Sequence, residues 1–280
     1  MILTGKARIA GVMGWPVGHS RSPRLHGYWL EQYGIDGAYV PLAVPPDRVV
    51  DAVRALPALG FRGANVTVPH KEAVMAGCDS IDPAARRIGA VNTLVVDENG
   101  RIEGRNTDGF GFMASLAADR PDWRAAAGPA VVIGAGGAAR AVLVALADAG
   151  APEIRLINRT GNRAEELAAE LGGPIGVIPW EDRAAALAEA GLLANTTTQG
   201  MAGQEPLDLD LARLPPTALV TDIVYTPLIT PLLHDAAARG NPTVDGLGML
   251  LHQARPGFEA WFGTKPEVTP ALRRFVLESL

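Results

Sequence analysis

Cysteine is all but missing from this chain, with Cys78 the only one among 280 residues. A single thiol closes no intramolecular disulfide and builds no cysteine zinc cluster. An excess of positive charge is missing as well. Lys and Arg total 25 against 30 Asp and Glu, a balance that argues against nucleic acid or an anionic membrane as the main partner. No apolar run reaches spanning length, since the richest stretch around Val142 is interrupted by Arg140 and Asp148. The segment Met1-Ile2-Leu3-Thr4-Gly5-Lys6 lacks the apolar core and small-residue cleavage site of a secretory signal, so a cytoplasmic location is expected. His19 and His26 stand without an acid or cysteine nearby to complete a ligand set, and no metal is expected.

What is present is a globular enzyme's composition at a length that suggests about two domains. Strand-like and helix-like segments alternate almost throughout, which predicts an α/β fold built on parallel sheets. The expected elements begin with a strand over 7–13 and a helix over 22–33, with Ser22 as N-cap and Pro23 at its first position. They continue through strands at 38–44 and 63–68, with a helix over 47–56 between them. Strands at 90–96 and 101–104 flank Asn99-Gly100, a hairpin signal. Helices are expected over 110–120, 164–171, 184–190, 247–262 and 270–280, and one capped by Thr230 with Pro231 next.

Ala130-Val131-Val132-Ile133 reads as a buried parallel strand running into Gly134-Ala135-Gly136-Gly137-Ala138, with a helical stretch after it. Glycines spaced this way allow a tight turn and close approach of backbone to a pyrophosphate at a helix N-terminus. The next strand ends in Asn158-Arg159-Thr160-Gly161-Asn162-Arg163. The carboxylate that would bind the ribose hydroxyls of NAD is missing there. Arg159 and Arg163 would instead flank a phosphate, with the Thr160 hydroxyl beside them, so NADP is the expected cofactor.

Two further segments carry charge among amides, hydroxyls and glycines. Lys71 closes the run from Gly63 through Asn65, Thr67 and His70, and Asp108 closes Gly104-Arg105-Asn106-Thr107-Asp108. Strands that end this way offer polar groups at their carboxyl ends, where α/β sheets bind ligands. Lys71 is a candidate for placing a proton or positive charge beside a developing alkoxide, with Asp108 fixing it and a helix expected to start close by. His70 points away from Lys71 and reads as a surface residue.

Together these motifs resemble the shikimate dehydrogenase family almost end to end. The resemblance runs through Gly14-Trp15-Pro16-Val17-Gly18-His19-Ser20-Arg21-Ser22-Pro23, Asn65 to Lys71, Gly89-Ala90-Val91-Asn92-Thr93 and Asn106-Thr107-Asp108-Gly109. It continues through the glycine loop, Asn158-Arg159-Thr160, Asn195-Thr196-Thr197, Asp222-Ile223-Val224-Tyr225 and Asp245 to Ala254. It implies an enzyme of aromatic amino-acid and chorismate biosynthesis that reversibly reduces 3-dehydroshikimate to shikimate with NADPH. Residues 1–108 with 245–280 would form a substrate domain, and 109–244 a Rossmann-like doubly wound NADP domain, with a cleft between them. Ser20 and Ser22 would hold the substrate carboxylate. Asn65, Thr67, Asn92, Asp108 and Gln253 would hold ring hydroxyls, with Tyr225 nearby and Lys71 and Asp108 catalytic. Thr196, Ile223 and Gly246 would join the glycine loop and the Asn158 to Arg163 segment around the cofactor. A monomer or homodimer acting on a small molecule is expected. Two other functions fit parts of this pattern: a quinate/shikimate dehydrogenase, often NAD-linked, and a non-catalytic NADP-binding sensor. Arg159 and Arg163 weigh against the first, and the intact Lys71 and Asp108 against the second.

Overall fold

The computed structural model describes residues 2–278. The chain divides into two compact units, one joining everything up to Thr107 to the stretch from Leu251 onward, the other running Asp108–Leu250.

The first unit contains β1 (Arg8–Gly14), α1 (Ser22–Gln32), β2 (Gly37–Ala43), α2 (Val49–Ala55), β3 (Phe61–Val66), β4 (Ser80–Ile81), α3 (Pro83–Ile88), β5 (Thr93–Val96) and β6 (Ile102–Arg105). Its strands form one mixed sheet in the order β2-β1-β3-β5-β6-β4. β1 pairs in parallel with β2 and β3, while β5 runs antiparallel to both β3 and β6. The hairpin between β5 and β6 turns at Asn99-Gly100, where Gly100 has φ 77° and Asp97 accepts from the amides of Asn99 and Arg101. Alternation along the strands sends Met13, Ala64, Val66 and Leu94 to one face, where they pack with Val49, Val53 and Leu56 from α2 and the residue after it. Gly63 has φ 148°, and a Cβ there would collide with the Leu94 carbonyl oxygen and the Trp261 indole nitrogen. That indole donates to the same carbonyl at 2.8 Å. Only glycine lets the two meet.

The second unit contains α4 (Asp108–Asp119), β7 (Ala130–Ile133), α5 (Gly137–Asp148), β8 (Ile154–Ile157), α6 (Gly161–Leu171), β9 (Ile175–Ile178), β10 (Leu192–Asn195), β11 (Leu219–Asp222), α7 (Pro231–Ala238) and β12 (Thr243–Val244). Its sheet is parallel throughout, in the order β12-β11-β10-β7-β8-β9. Every residue of β7 is buried, as expected of a strand covered on both faces. Ala130 and Val132 pack with Phe112, Val142, Leu143 and Leu146 on one side. Val131 and Ile133 pack with Leu187, Leu232 and Leu233 on the other. Chain order reverses between β7 and β10, the switch point at which such sheets bind ligands.

The chain closes with α8 (Gly246–Phe262) and α9 (Pro270–Leu277). The last helix was expected to reach 280, but positions 279–280 lie outside the described residues. Thr230 and Thr269 cap α7 and α9 through the amides of Leu233 and Leu272. Two of the expected features differ in this part of the structure. The helix over 184–190 is only a 3-10 turn, Ala185–Leu187, because Ala188 is extended and Glu189 has φ 63°. Ser22 is the first residue of α1 rather than its cap; the cap position falls on Arg21, whose side chain makes no capping bond. No helix among the described residues is long and apolar enough to cross a membrane.

Candidate functional site

In the first unit the residues selected from sequence gather where β3 ends and β5 begins. Asn65 lies near the end of β3, Asn92 precedes β5, Thr107 follows β6, and Gln253 comes from α8. All are buried, and buried amides need partners. Asn65 Nδ2 donates to the Asn92 carbonyl and to Thr93 Oγ1, both at 3.2 Å. Thr93 Oγ1 donates to Asn92 Oδ1 at 2.9 Å, which also accepts the Thr107 amide at 2.8 Å. Asn92 Nδ2 reaches Thr107 Oγ1 at 3.1 Å and Gln253 Oε1 at 3.4 Å, and Thr107 Oγ1 donates to the Gln253 carbonyl at 2.9 Å. The network thus holds three of the predicted substrate contacts through two threonines that sequence reasoning passed over. Their signal lies in the same motifs, since Thr93 stands next to Asn92 and Thr107 next to Asp108.

Lys71 sits half-buried at the edge of this network. Its carbonyl accepts the Val91 amide at 2.7 Å, which ties it to the segment carrying Asn92. Thr67 donates its amide to Met13 at the end of β1, and His70 donates its amide to Thr67. His70 is not the surface residue expected: it is 1% exposed, and its Nε2 lies 2.7 Å from the Val44 carbonyl. The ring anchors the loop that delivers Lys71. The helix expected near Lys71 is a short 3-10 turn, Ala73–Gly77. Ser20 Oγ accepts the Ser22 amide at 3.3 Å, so these two residues share one turn at the start of α1. Asp108 opens α4, directly after Thr107, with its carboxyl at the positive end of that helix.

In the second unit, β7 leads into Gly134-Ala135-Gly136-Gly137-Ala138 and α5 starts at Gly137. Gly134 has φ 112°, and a Cβ there would lie 2.8 Å from Thr196 Oγ1 and 2.9 Å from Thr197 Cγ2. Thr196 Oγ1 donates to the Ile133 carbonyl at 2.7 Å, so its hydroxyl clasps the loop from β10. A Cβ at Gly136 would meet nothing within 4 Å, and no side chain caps α5. Bare helix amides facing open space suit a pyrophosphate. At the end of β8, Asn158 Nδ2 donates to the Thr160 carbonyl at 2.8 Å. Thr160 is the N-cap of α6 but makes no side-chain bond, and no acidic residue lies in the first turn. Arg159 and Arg163 are exposed and pair with none of the described residues. The fit to a phosphate is good in both places. Gly246 is also required to be glycine, because a Cβ would stand 2.5 Å from the Ile223 and Val224 carbonyl oxygens.

Asp222, at the end of β11, is a framework residue that the sequence motif does not single out. Its carboxylate accepts from Asn195 Nδ2 at 3.1 Å, the Val224 amide at 3.0 Å and Thr230 Oγ1 at 2.8 Å. It therefore joins the ends of β10 and β11 to the start of α7 and sets the segment carrying Ile223 and Tyr225. Burial raises its pKa, and the three donors work against that rise.

Comparison with known proteins finds relatives along the whole chain. The family model described as the shikimate dehydrogenase substrate binding domain matches residues 12–94. The shikimate / quinate 5-dehydrogenase model matches 116–205, and the shikimate 5'-dehydrogenase C-terminal domain model matches 246–273. A protein of Paramagnetospirillum magneticum named shikimate dehydrogenase (NADP(+)) is 66% identical over 98% of this chain and 100% of its own. The crystal structure of shikimate 5-dehydrogenase from Thermus thermophilus in complex with NADP(H) and shikimate superposes with a TM-score of 0.87 at 37% identity, covering 98% of this chain and 100% of that one. Quinate dehydrogenase from Corynebacterium glutamicum in complex with NAD gives a TM-score of 0.90 at 29% identity, covering 97% of this chain and 99% of that one. Identity of this order along the full length of the chain, on the same two-unit fold, places it in the shikimate dehydrogenase family.

Proposed function

We propose that this chain is an NADP-dependent shikimate dehydrogenase, reducing 3-dehydroshikimate to shikimate reversibly on the route to chorismate and the aromatic amino acids. The observation that carries the reading is the buried Asn65–Asn92–Gln253 network beside Lys71. Fixed amides at strand ends recognise a small polyhydroxylated ring without needing to reorganise when it binds. The 66% identical relative is named for NADP(+), and the unpaired Arg159 and Arg163 support that cofactor here, with Thr160 and the bare Gly134 to Ala138 loop completing the cofactor surface.

Bound NADPH supplies the hydride. Lys71 holds a proton at the ketone oxygen and yields it as negative charge develops there, taking it back in the oxidation of shikimate. Asp108 orients that ammonium and accepts from a substrate hydroxyl. Ser20 and Ser22 donate to the carboxylate from one turn, Asn65, Thr67, Asn92 and Gln253 hold the remaining hydroxyls, and Tyr225 is a further substrate contact. Thr196, Ile223 and Gly246 shape the wall on which the cofactor lies. The protein works in the cytoplasm, as monomer or homodimer, a choice that light scattering of the purified protein decides.

The NAD-bound quinate dehydrogenase of the same fold gives a second reading its weight. Steady-state rates with shikimate and quinate, each with NADP and NAD, separate the two. The expected order is shikimate with NADP first. A quinate kcat/KM equal to or above that for shikimate, each cofactor saturating, would overturn the proposal.

A further inference from the structure

We propose that Tyr39, outside the set of substrate and cofactor contacts, is a positioning residue that makes Asn65 a hydrogen-bond acceptor toward the ligand. The inference rests on the reading of Asn65 as a substrate contact and adds which chemical group it selects.

Tyr39 lies in the middle of β2 and is 7% exposed. Its ring stacks on His26 from α1, with centroids 3.9 Å apart and planes within 7°. His26 is wholly buried, neither of its ring nitrogens has a hydrogen-bond partner, and Trp29, Phe258 and Trp261 surround it. Burial lowers its pKa to about 3, so the ring is a neutral platform at physiological pH. The stack aims the Tyr39 hydroxyl at Asn65 Oδ1, 2.7 Å away.

Two neighbours then determine the whole amide. The Asn92 carbonyl can only accept, so the side of Asn65 facing it must be the NH2 group, and its second hydrogen goes to Thr93 Oγ1. Oδ1 is left facing Tyr39, which must donate. Of the two lone pairs on Oδ1, one is taken by the tyrosine, and the other is the single hydrogen-bonding position Asn65 retains. A ligand group meeting it has to donate: a hydroxyl fits, and a ketone or carboxylate is repelled. Asn65 therefore reads a non-reacting hydroxyl, and Tyr39 keeps it from turning to read anything else.

The test uses the full chain with Tyr39→Phe, Asn65→Ala and the double variant, measuring KM for shikimate, kcat and KM for NADP. Phenylalanine keeps the stack on His26. Loss of one hydrogen bond predicts a rise in shikimate KM of about three- to tenfold in Tyr39→Phe, with kcat and the NADP KM nearly unchanged. In the Asn65→Ala background the same change should add almost nothing. An unchanged KM in Tyr39→Phe beside a raised one in Asn65→Ala overturns the proposal, as does an equal rise in both backgrounds. An unchanged shikimate KM in Asn65→Ala refutes the substrate contact itself, a distinct pattern that takes the proposal with it. The unaltered protein offers a second measurement that needs no Tyr39 variant. Of the deoxyfluoro analogues of shikimate at its two non-reacting hydroxyls, one should bind about tenfold or more weakly, since fluorine cannot donate. Asn65→Ala should shrink that difference several-fold; a difference that is unchanged in Asn65→Ala, or that is missing from the unaltered protein, contradicts the proposal.

Discussion

His26 shows how much one side chain can commit a protein to a pH range. Its folded pKa of about 3 lies below the 6.5 expected of an exposed histidine, so below pH 6.5 the unfolded chain takes up a proton that the folded chain refuses. Stability from this residue is complete above pH 6.5 and is lost as pH falls toward 3, at about 1.4 kcal/mol per unit, or roughly 2 kcal/mol by pH 5. Denaturant midpoints measured from pH 7 to 5 should fall less steeply in His26→Phe than in the unaltered protein. Parallel slopes would assign the acid sensitivity elsewhere. Lys71 is tested by rate instead. Lys71→Ala should lower turnover by about a hundredfold or more, the usual effect of losing a general acid, while NADP affinity stays nearly intact. Near-normal turnover would mean that the proton comes from another group. At this scale the sequence is legible where chemistry clusters locally, as around Asn65 to Lys71, and silent where a partner is remote. Tyr39 reads as one more inward aromatic on a strand, because Asn65 lies 26 positions away. His70 was misread for the same reason, since nothing near it in sequence announces the Val44 carbonyl that buries it.

Among the elements, those with strong local signatures matched expectation and those defined by their ends did not. β7, with four buried residues ahead of glycines, and α7, with threonine and proline at its start, declare themselves through period and capping. The stretch 184–190 has helical composition but lies beside Gly191, and the turn at Ala188-Glu189, with Glu189 left-handed, ends it early. Propensity alone does not register that. The start of α6 carries a prediction of its own. Arg159 stands just before the helix and Arg163 in its first turn, with no carboxylate among them. A charge-assisted bond to phosphate contributes about 1.5–3 kcal/mol, so Arg159→Ala should reduce the preference for NADP over NAD by roughly tenfold or more. Comparing kcat/KM for the two cofactors reads this directly, and an unchanged ratio would remove Arg159 from the site. The mixed α/β class and the doubly wound second sheet follow from alternation, whereas the sheet orders depend on pairings that no local pattern records.

For the whole molecule, the decisive feature is that one unit is continuous in sequence and the other is not. The second unit runs unbroken from Asp108 to Leu250, while the first lacks Gln253, Phe258, Trp261 and Phe262 until the far end of the chain is present. Several bonds close it, among them the Trp261 indole to the Leu94 carbonyl at 2.8 Å, Thr107 to the Gln253 carbonyl at 2.9 Å and the Trp29 indole to the Glu267 carbonyl at 3.0 Å. A chain ending at Leu250 should therefore bind NADP yet lose its first 107 positions rapidly to a protease, with shikimate giving no protection. Equal protease resistance of both parts would show that the C-terminal helices are dispensable to the fold. On the ribosome the same geometry reverses the order of completion. The half whose codons are read first must wait, with Trp29 and Tyr39 lacking their covering partners, while the half read second is already able to fold. During synthesis, then, the nascent enzyme acquires its grip on cofactor before it has anywhere to hold a substrate, and the interval between the two is when its amino-terminal half most needs a chaperone.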